Sequence, residues 1–185
     1  VNKVLNLFIM RHANTDWNDY DGNDYGRVIS TEGKKDTTIV LKELIKKKIY
    51  FDIVHTSPST RTMQTLEIFK QKFKLKKTQI YEDYDLYEGS LENYLLKLSK
   101  VEKKHRNILV ITHEPNILWL IDYFNNQGDK NYQKFLEKNF ITSSILKLCF
   151  DVSSWEEISG VNCSFDFFLN PCLLYTSDAA DEVVR

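Results

Sequence analysis

Val4-Leu5-Asn6-Leu7-Phe8-Ile9-Met10-Arg11-His12 is an apolar run that ends in an arginine–histidine pair. A second run, Ile108-Leu109-Val110-Ile111-Thr112, leads in the same way into His113-Glu114-Pro115. Both are short, rich in aliphatic residues and free of glycine, which reads as two strands buried on both faces of a parallel sheet. Open α/β sheets gather their ligands beyond the carboxyl ends of the strands. Each histidine falls at such an end. Between the two runs lies Ser57-Pro58-Ser59-Thr60-Arg61. Ser57 can cap a helix and Pro58 suits its first position, so the segment predicts a helix start with Arg61 in its first turn. The unpaired N–H groups there already favour anions. Two histidines and two arginines converging at one sheet edge make a pocket for a phosphoryl group, with one imidazole free to attack it.

Working outward, strand and helix patterns alternate, the signature of βαβ units and a mostly parallel sheet in an α/β fold. The expected strands are Val4 to Met10, Phe51 to Thr56, Gln79 to Glu82, Asn107 to Thr112, Ser144 to Phe150 and Cys163 to Phe168. The last two could add to the sheet edge. The stretch Asn14 to Arg27 has loop composition, and a loop that long in a compact domain is usually functional. A helix is predicted from Ser30 or Thr31 to about Lys48, with Ile39, Val40, Leu44 and Ile45 on its buried side. Met63, Leu66, Phe69 and Phe73 mark the core face of the next helix. Asp83 to Gly89 reads as a loop. Ser90 can cap a helix carrying Leu91, Tyr94, Leu95, Leu98 and Val101. Pro115 opens another, with Ile117, Leu120, Ile121 and Phe124 inward and Gly128 past its end. A polar connection is expected after it.

The chain has 185 residues and a formal net charge of -1. That length suits one domain with a real core, assigned to residues 1–170. Near-neutral charge gives no reason to expect nucleic acid or an acidic membrane as partner. The apolar runs are too short for a membrane span, and no signal-peptide layout opens the chain. Cys149, Cys163 and Cys172 have no zinc spacing and no even pairing, so no metal is expected and a reducing, cytoplasmic compartment is. Residues 171–185 change character. Cys172 to Glu182 resembles translated sequencing-adapter read-through, so the segment is expected to be a disordered or non-native tail.

Phosphoryl transfer to imidazole needs a neutral histidine held in one tautomer, because imidazolium has no lone pair to offer. It needs fixed cationic donors for the transferring group, and an acid that protonates the leaving oxygen and then activates water. Arginine forks supply the first need. Such covalent catalysis requires no metal.

Arg11-His12, Ser57 to Thr65 and Thr112-His113-Glu114-Pro115 together resemble the histidine phosphatase superfamily, and within it the small SixA-type phosphohistidine phosphatases. Gly26-Arg27-Val28-Ile29-Ser30-Thr31-Glu32-Gly33 resembles that branch's approach to its first helix. Phe140 to Leu146 with Trp155-Glu156-Glu157-Ile158 resembles its last hairpin. The resemblance covers about Leu5 to Phe168. It implies a three-layer αβα sandwich around a mostly parallel sheet with an antiparallel edge strand, and no cofactor. Carried over, His12 is the phosphorylated nucleophile, Arg11 and Arg61 clamp the phosphate, His113 completes the pocket and Arg27 adds a third positive group. The short segment between Arg61 and His113 leaves little room for a substrate lid, so a bulky phosphorylated group, including a protein side chain, is an expected substrate.

Three features depart from the pattern. Ala13 stands where a glycine usually follows the Arg-His pair. Asn14-Thr15-Asp16-Trp17-Asn18 looks like a mutase-type first motif, which makes Asn18 a weaker candidate phosphate ligand. The acid is ambiguous: Glu88 lies nearest the superfamily's position, and Asp85, Glu82 and Glu114 compete with it. His55 and His105 are read as structural or solvated, and Trp17, Trp119 and Trp155 as packing residues. The expected function is a metal-independent phosphatase working through phosphohistidine on phosphorylated protein or small phosphoesters. The alternatives are a phosphate-binding pseudophosphatase and a phosphosugar mutase.

Overall fold

The computed structural model describes residues 4–18, 20–125, 128–161 and 163–175. Six described strands form one sheet: β1 (Val4–Arg11), β2 (Ile53–Thr56), β3 (Ile80–Glu82), β4 (Asn107–Thr112), β5 (Ile145–Asp151) and β6 (Cys163–Leu169). Their spatial order is β3-β2-β4-β1-β5-β6. The first four are parallel, β5 runs antiparallel to β1, and β6 pairs antiparallel with β5.

The two decisive apolar runs are continuous because both faces of the sheet are covered. Along β1, Leu5, Leu7 and Ile9 enter one core and Phe8 and Met10 the other. Along β4, Ile108 and Val110 join the first, Leu109 and Ile111 the second. Successive side chains of a strand point to opposite faces, so a strand roofed on both sides has no polar positions to spare. The second core is roofed by helices α1 (Thr31–Lys46) and α2 (Thr60–Phe73) through Val40, Leu41, Leu44, Leu66 and Phe69. The first is roofed by α4 (Leu91–Ser99), α5 (Asn116–Phe124) and α6 (Lys130–Asn139) through Tyr94, Leu98, Ile117, Leu120, Ile121 and Leu136. A single turn of helix, α3 (Asp85–Glu88), follows β3. The result is the three-layer αβα sandwich.

Several expectations need correction. The polar connection after α5 contains α6, capped by the Asp129 side chain on Asn131 N–H. It escapes periodicity because it buries only Gln133 and Leu136 and leaves Phe135 exposed. Leu41, not Ile45, completes the buried face of α1, and Ile45 is exposed. Helix α2 begins at Thr60 behind Ser59, not at Ser57-Pro58. Ser57 N–H still donates to Ile111 O at 3.1 Å, so Ser57 belongs to the end of the sheet ladder. The loop Asp83 to Gly89 holds α3. Of the expected tail, residues 171–175 are helical. Pro171 is buried, Leu174 packs against the α1–α2 core, and the Tyr175 hydroxyl meets Asp36 Oδ1 at 3.3 Å. Residues 176–185 lie outside the described residues.

Candidate active site

Strand register brings the two histidines together. Arg11 of β1 is level with Thr112 of β4, so His12 and His113 leave adjacent parallel strands side by side. His12 N–H extends the ladder to Thr112 O at 3.1 Å. The ring centroids are 5.1 Å apart, close to the inter-strand spacing itself. Both residues are buried.

His12 has the form a nucleophile requires. Its Nδ1 lies 2.8 Å from the Ala13 carbonyl oxygen. A carbonyl can only accept, so Nδ1 carries the hydrogen and Nε2 keeps its lone pair. Burial first, then Arg61, Arg11 and Arg27, pull the His12 pKa down to about 3, against the Ala13 carbonyl, which favours the cation. The ring is therefore neutral at physiological pH. His113 is held to about 2, by burial, by His12 and by Arg61. Its Nε2 lies 2.8 Å from Ser57 Oγ, and its Nδ1 is buried without a partner among the described residues. Ser57 Oγ accepts from Ser59 N–H at 3.4 Å. Its own proton can be given to His113 Nε2, an arrangement that leaves the ring hydrogen on the unpartnered Nδ1. Ser57 was read as a helix cap, and it orients the second histidine instead.

The backbone around His12 is pinned from two sides. Ala13 N–H donates to Thr65 Oγ1 at 2.9 Å. The next residue, Asn14, gives its carbonyl to Ser30 N–H at 2.8 Å. Ala13 is not among the residues with positive φ, so its methyl adds no backbone strain there. Gly33, in the first turn of α1, is a different matter: a Cβ would sit 2.4 Å from Asn14 O and 2.8 Å from Asn14 N. Gly33→Ala is expected to cost about 1–3 kcal/mol, because the α1 turn must back away from the His12 loop. A thermal melt checks this, and an unchanged melting temperature refutes the close approach.

Arg61 is buried in the first turn of α2. Its Nη1 donates to the Asp24 carbonyl at 2.6 Å and its Nη2 to Asp24 Oδ2 at 3.0 Å, while Nε is buried and unpartnered among the described residues. Arg27 grips the other carboxylate oxygen, with Nε and Nη2 each 2.9 Å from Asp24 Oδ1, and its Nη1 donates to Thr15 Oγ1 at 2.8 Å. The Tyr87 hydroxyl adds a bond to Asp24 Oδ2 at 3.0 Å. Burial opposes ionisation of Asp24, but Arg61, Tyr87 and Arg27 outweigh it and hold the carboxyl below its usual range. Tyr87 also meets the edge of the His113 ring, with centroids 5.5 Å apart. Sequence reasoning missed Asp24 and Tyr87. For Asp24 the available signal was its place three residues before Arg27 in a long polar loop.

The remaining candidates lie further out. Arg11 donates from Nη1 to Glu114 Oε1 at 2.8 Å and to Phe140 O at 2.9 Å, with its buried Nε unpartnered among the described residues. Burial lowers its pKa, against the pull of Glu114. Arg11 thus acts on His12 through its charge. Asn18 sits in an exposed turn, its N–H on Asp16 Oδ1. Glu88 is exposed at the end of α3, beside Tyr84 and Tyr87. Neither is brought against the histidines. Trp17, read as a packing residue, is exposed and covers the Arg27 guanidinium at 4.2 Å. A cavity of about 500 Å3 lined by His55, Tyr81, Asp83, Lys97 and His105 contains neither histidine of the cluster nor its arginines.

Residues 7–95 match the model of the histidine phosphatase superfamily (branch 1). The protein histidine phosphatase SixA complexed with tungstate superposes with a TM-score of 0.75 at 23% identity, covering 92% of this chain and 99% of that one. The fold is that of the histidine phosphatase superfamily. A protein assigned as a phosphohistidine phosphatase SixA, from Agrobacterium tumefaciens, superposes with a TM-score of 0.73 at 19% identity, over 90% of this chain and 98% of that one. By sequence, the chain is 27% identical over 169 residues to a 2,3-bisphosphoglycerate-dependent phosphoglycerate mutase of Buchnera aphidicola, covering 83% of this chain and 72% of the mutase. No helix among the described residues is long and apolar enough to cross a membrane.

Burial of the histidines has a consequence for stability. His12, His113 and His55 all have folded pKa values well below 6.5, the last at about 4 through burial. Each is neutral in the folded chain and takes up a proton only on unfolding in the acid range. Stability is therefore full above about pH 6.5 and lost as pH falls toward the folded values, by about 2 kcal/mol per histidine at pH 5. Urea titrations at pH 7.5 and pH 5 check this, and equal stabilities at the two pH values contradict it.

Proposed function

We propose that this protein is a metal-independent phosphatase that forms a phosphohistidine on His12. The observation that carries the reading is a buried, neutral His12 whose Nδ1–H is tied to Ala13 O, beside His113 and the Arg61 fork. In this reading the Nε2 lone pair attacks phosphorus. The ring becomes cationic, and the hydrogen bond from Nδ1 to the Ala13 carbonyl stabilises that charge. Arg61 and Arg27 bind equatorial phosphoryl oxygens, His113 Nδ1–H donates to another, and Arg11 adds positive potential.

The substrate class proposed is a phosphorylated protein, with phosphohistidine first among the candidates, or a small phosphoester. The SixA likeness supports the first. An aromatic rim supports a flat leaving group: Tyr25 and Tyr84 are exposed and both pack on Tyr87, at 5.2 and 5.8 Å between centroids. A phosphoglycerate mutase activity is the second reading, carried by the 27% identity to such an enzyme. The deciding experiment incubates purified protein with p-nitrophenyl phosphate and EDTA and traps the intermediate by rapid quench. Turnover with an acid-labile phosphoryl group mapped to His12 is expected. Turnover abolished by EDTA, or a label elsewhere, refutes the mechanism. Interconversion of phosphoglycerates primed by 2,3-bisphosphoglycerate, faster than release of phosphate, selects the mutase.

A further inference from the structure

The reaction above needs a proton donor, and the expected one, Glu88, is exposed at the end of α3 beside Tyr84 and Tyr87. The competing carboxylates are engaged elsewhere. Glu114 is on Arg11. Asp83 and Asp85 both pair with Lys97. Glu82 is exposed on the sheet's edge strand. Asp24 alone among these carboxylates touches both Arg61 and Arg27, two of the cations that act on His12. We infer that Asp24 is the acid–base residue of the site, an assignment that rests on the phosphatase reading above.

The geometry supplies each property the role requires. Asp24 contacts Arg61, Arg27 and the Tyr87 hydroxyl at once, so its carboxylate lies where a phosphoryl group would compete for the same donors. Its side chain is 47% exposed, which lets it exchange protons with solvent. It sits in the irregular segment between Thr15 and Ile29, whose flanks are tied by an isolated antiparallel bridge, so it can give up the Arg61 fork without disturbing a helix or strand. When a phosphoryl dianion takes that fork, the cations that kept Asp24 ionised are neutralised and a second negative charge stands beside it. Both changes favour the protonated carboxyl. The Tyr87 hydroxyl keeps the side chain at the site.

The steps then balance. His12 Nε2 forms the N–P bond as the P–O bond to the leaving group breaks. The departing oxygen takes the Asp24 proton, leaving a carboxylate. Water next attacks phosphorus and passes a proton to Asp24. The N–P bond breaks, its electron pair returns to Nε2, and inorganic phosphate leaves with Asp24 protonated again.

The test compares wild type, Asp24→Asn and Glu88→Gln on p-nitrophenyl phosphate, phenyl phosphate and an alkyl phosphate. Asp24→Asn keeps the side chain's size and one acceptor oxygen, and a thermal melt verifies folding. Its kcat/KM is expected to fall about 100-fold or more on the phenyl and alkyl esters, whose leaving groups need protonation, and by less than about tenfold on the nitrophenyl ester. With the nitrophenyl ester it should also give a burst followed by accumulated phospho-His12, because water activation is lost. An equal loss on all esters makes Asp24 a positioning residue for Arg61 and overturns the assignment. A gain on all esters, with tighter phosphate binding, makes it only a competing anion. Leaving-group dependence in Glu88→Gln instead transfers the role there. Wild-type protein that forms no phospho-His12 refutes the phosphatase reading itself, a result visible before any variant is compared.

Discussion

Replacing His12 by alanine is expected to reduce hydrolysis of p-nitrophenyl phosphate by about 10,000-fold or more, since removal of a covalent nucleophile leaves only binding and electrostatic stabilisation. No neighbouring side chain can take its place. His113 Nε2 is engaged with Ser57 Oγ, and the Ala13 carbonyl has no other histidine at its disposal. The substitution also opens a small cavity and unties Nδ1 from Ala13 O, at a cost of about 1–3 kcal/mol. It should lessen acid sensitivity at the same time, because a buried neutral histidine no longer has to be held against protonation. Urea melts at two pH values read the second effect independently of catalysis. Near-wild-type turnover by folded His12→Ala would remove His12 from the mechanism.

Replacing Arg61 should be nearly as damaging. Its side chain is 5% exposed and lies in the first turn of α2, so the guanidinium approaches the site with little freedom. Two of its nitrogens hold Asp24 and the third, Nε, is buried without a partner among the described residues. A planar fork of this kind matches phosphoryl oxygens two at a time, and lysine cannot reproduce it. Both Arg61→Ala and Arg61→Lys are therefore expected to lower kcat/KM by about 100- to 1,000-fold, with weaker inhibition by vanadate. Recovery of most activity in Arg61→Lys would mean that only charge matters. Arg61 is itself buried, so truncating it to alanine also opens a cavity, and a thermal melt establishes that both variants are folded before their activities are compared.

The clustering of His12 with His113 was legible because it depends on a simple pattern. Two glycine-free, aliphatic-rich apolar runs of strand length read as strands roofed on both sides, and parallel neighbours put equivalent ends together. The Arg11 to Thr112 register then does the rest. Arg61 was legible because a helix start has few alternatives after Ser-Pro-Ser. Helix α6 was not, since a helix that buries two residues leaves no readable stripe. The role of Ser57 was misread for a related reason: a serine before proline is a good cap in isolation, and only the continuing ladder to Ile111 withdraws it from the helix.

The sequence by itself determined the α/β architecture, the strand ends that carry the histidines and the chemical types gathered there, because these follow from local periodicity and from the fixed geometry of strands and helix starts. The tertiary structure decided which carboxylate reaches the arginines. Glu88 is close to the expected motif position, yet the turn of α3 leaves it exposed beside Tyr84. Asp24 comes from a loop with no periodicity; Arg27 grips it from three residues on, and Arg61 reaches it from the distant start of α2. The contact with Arg61 depends on three-dimensional closure of a polar segment, and a one-dimensional pattern carries no record of that.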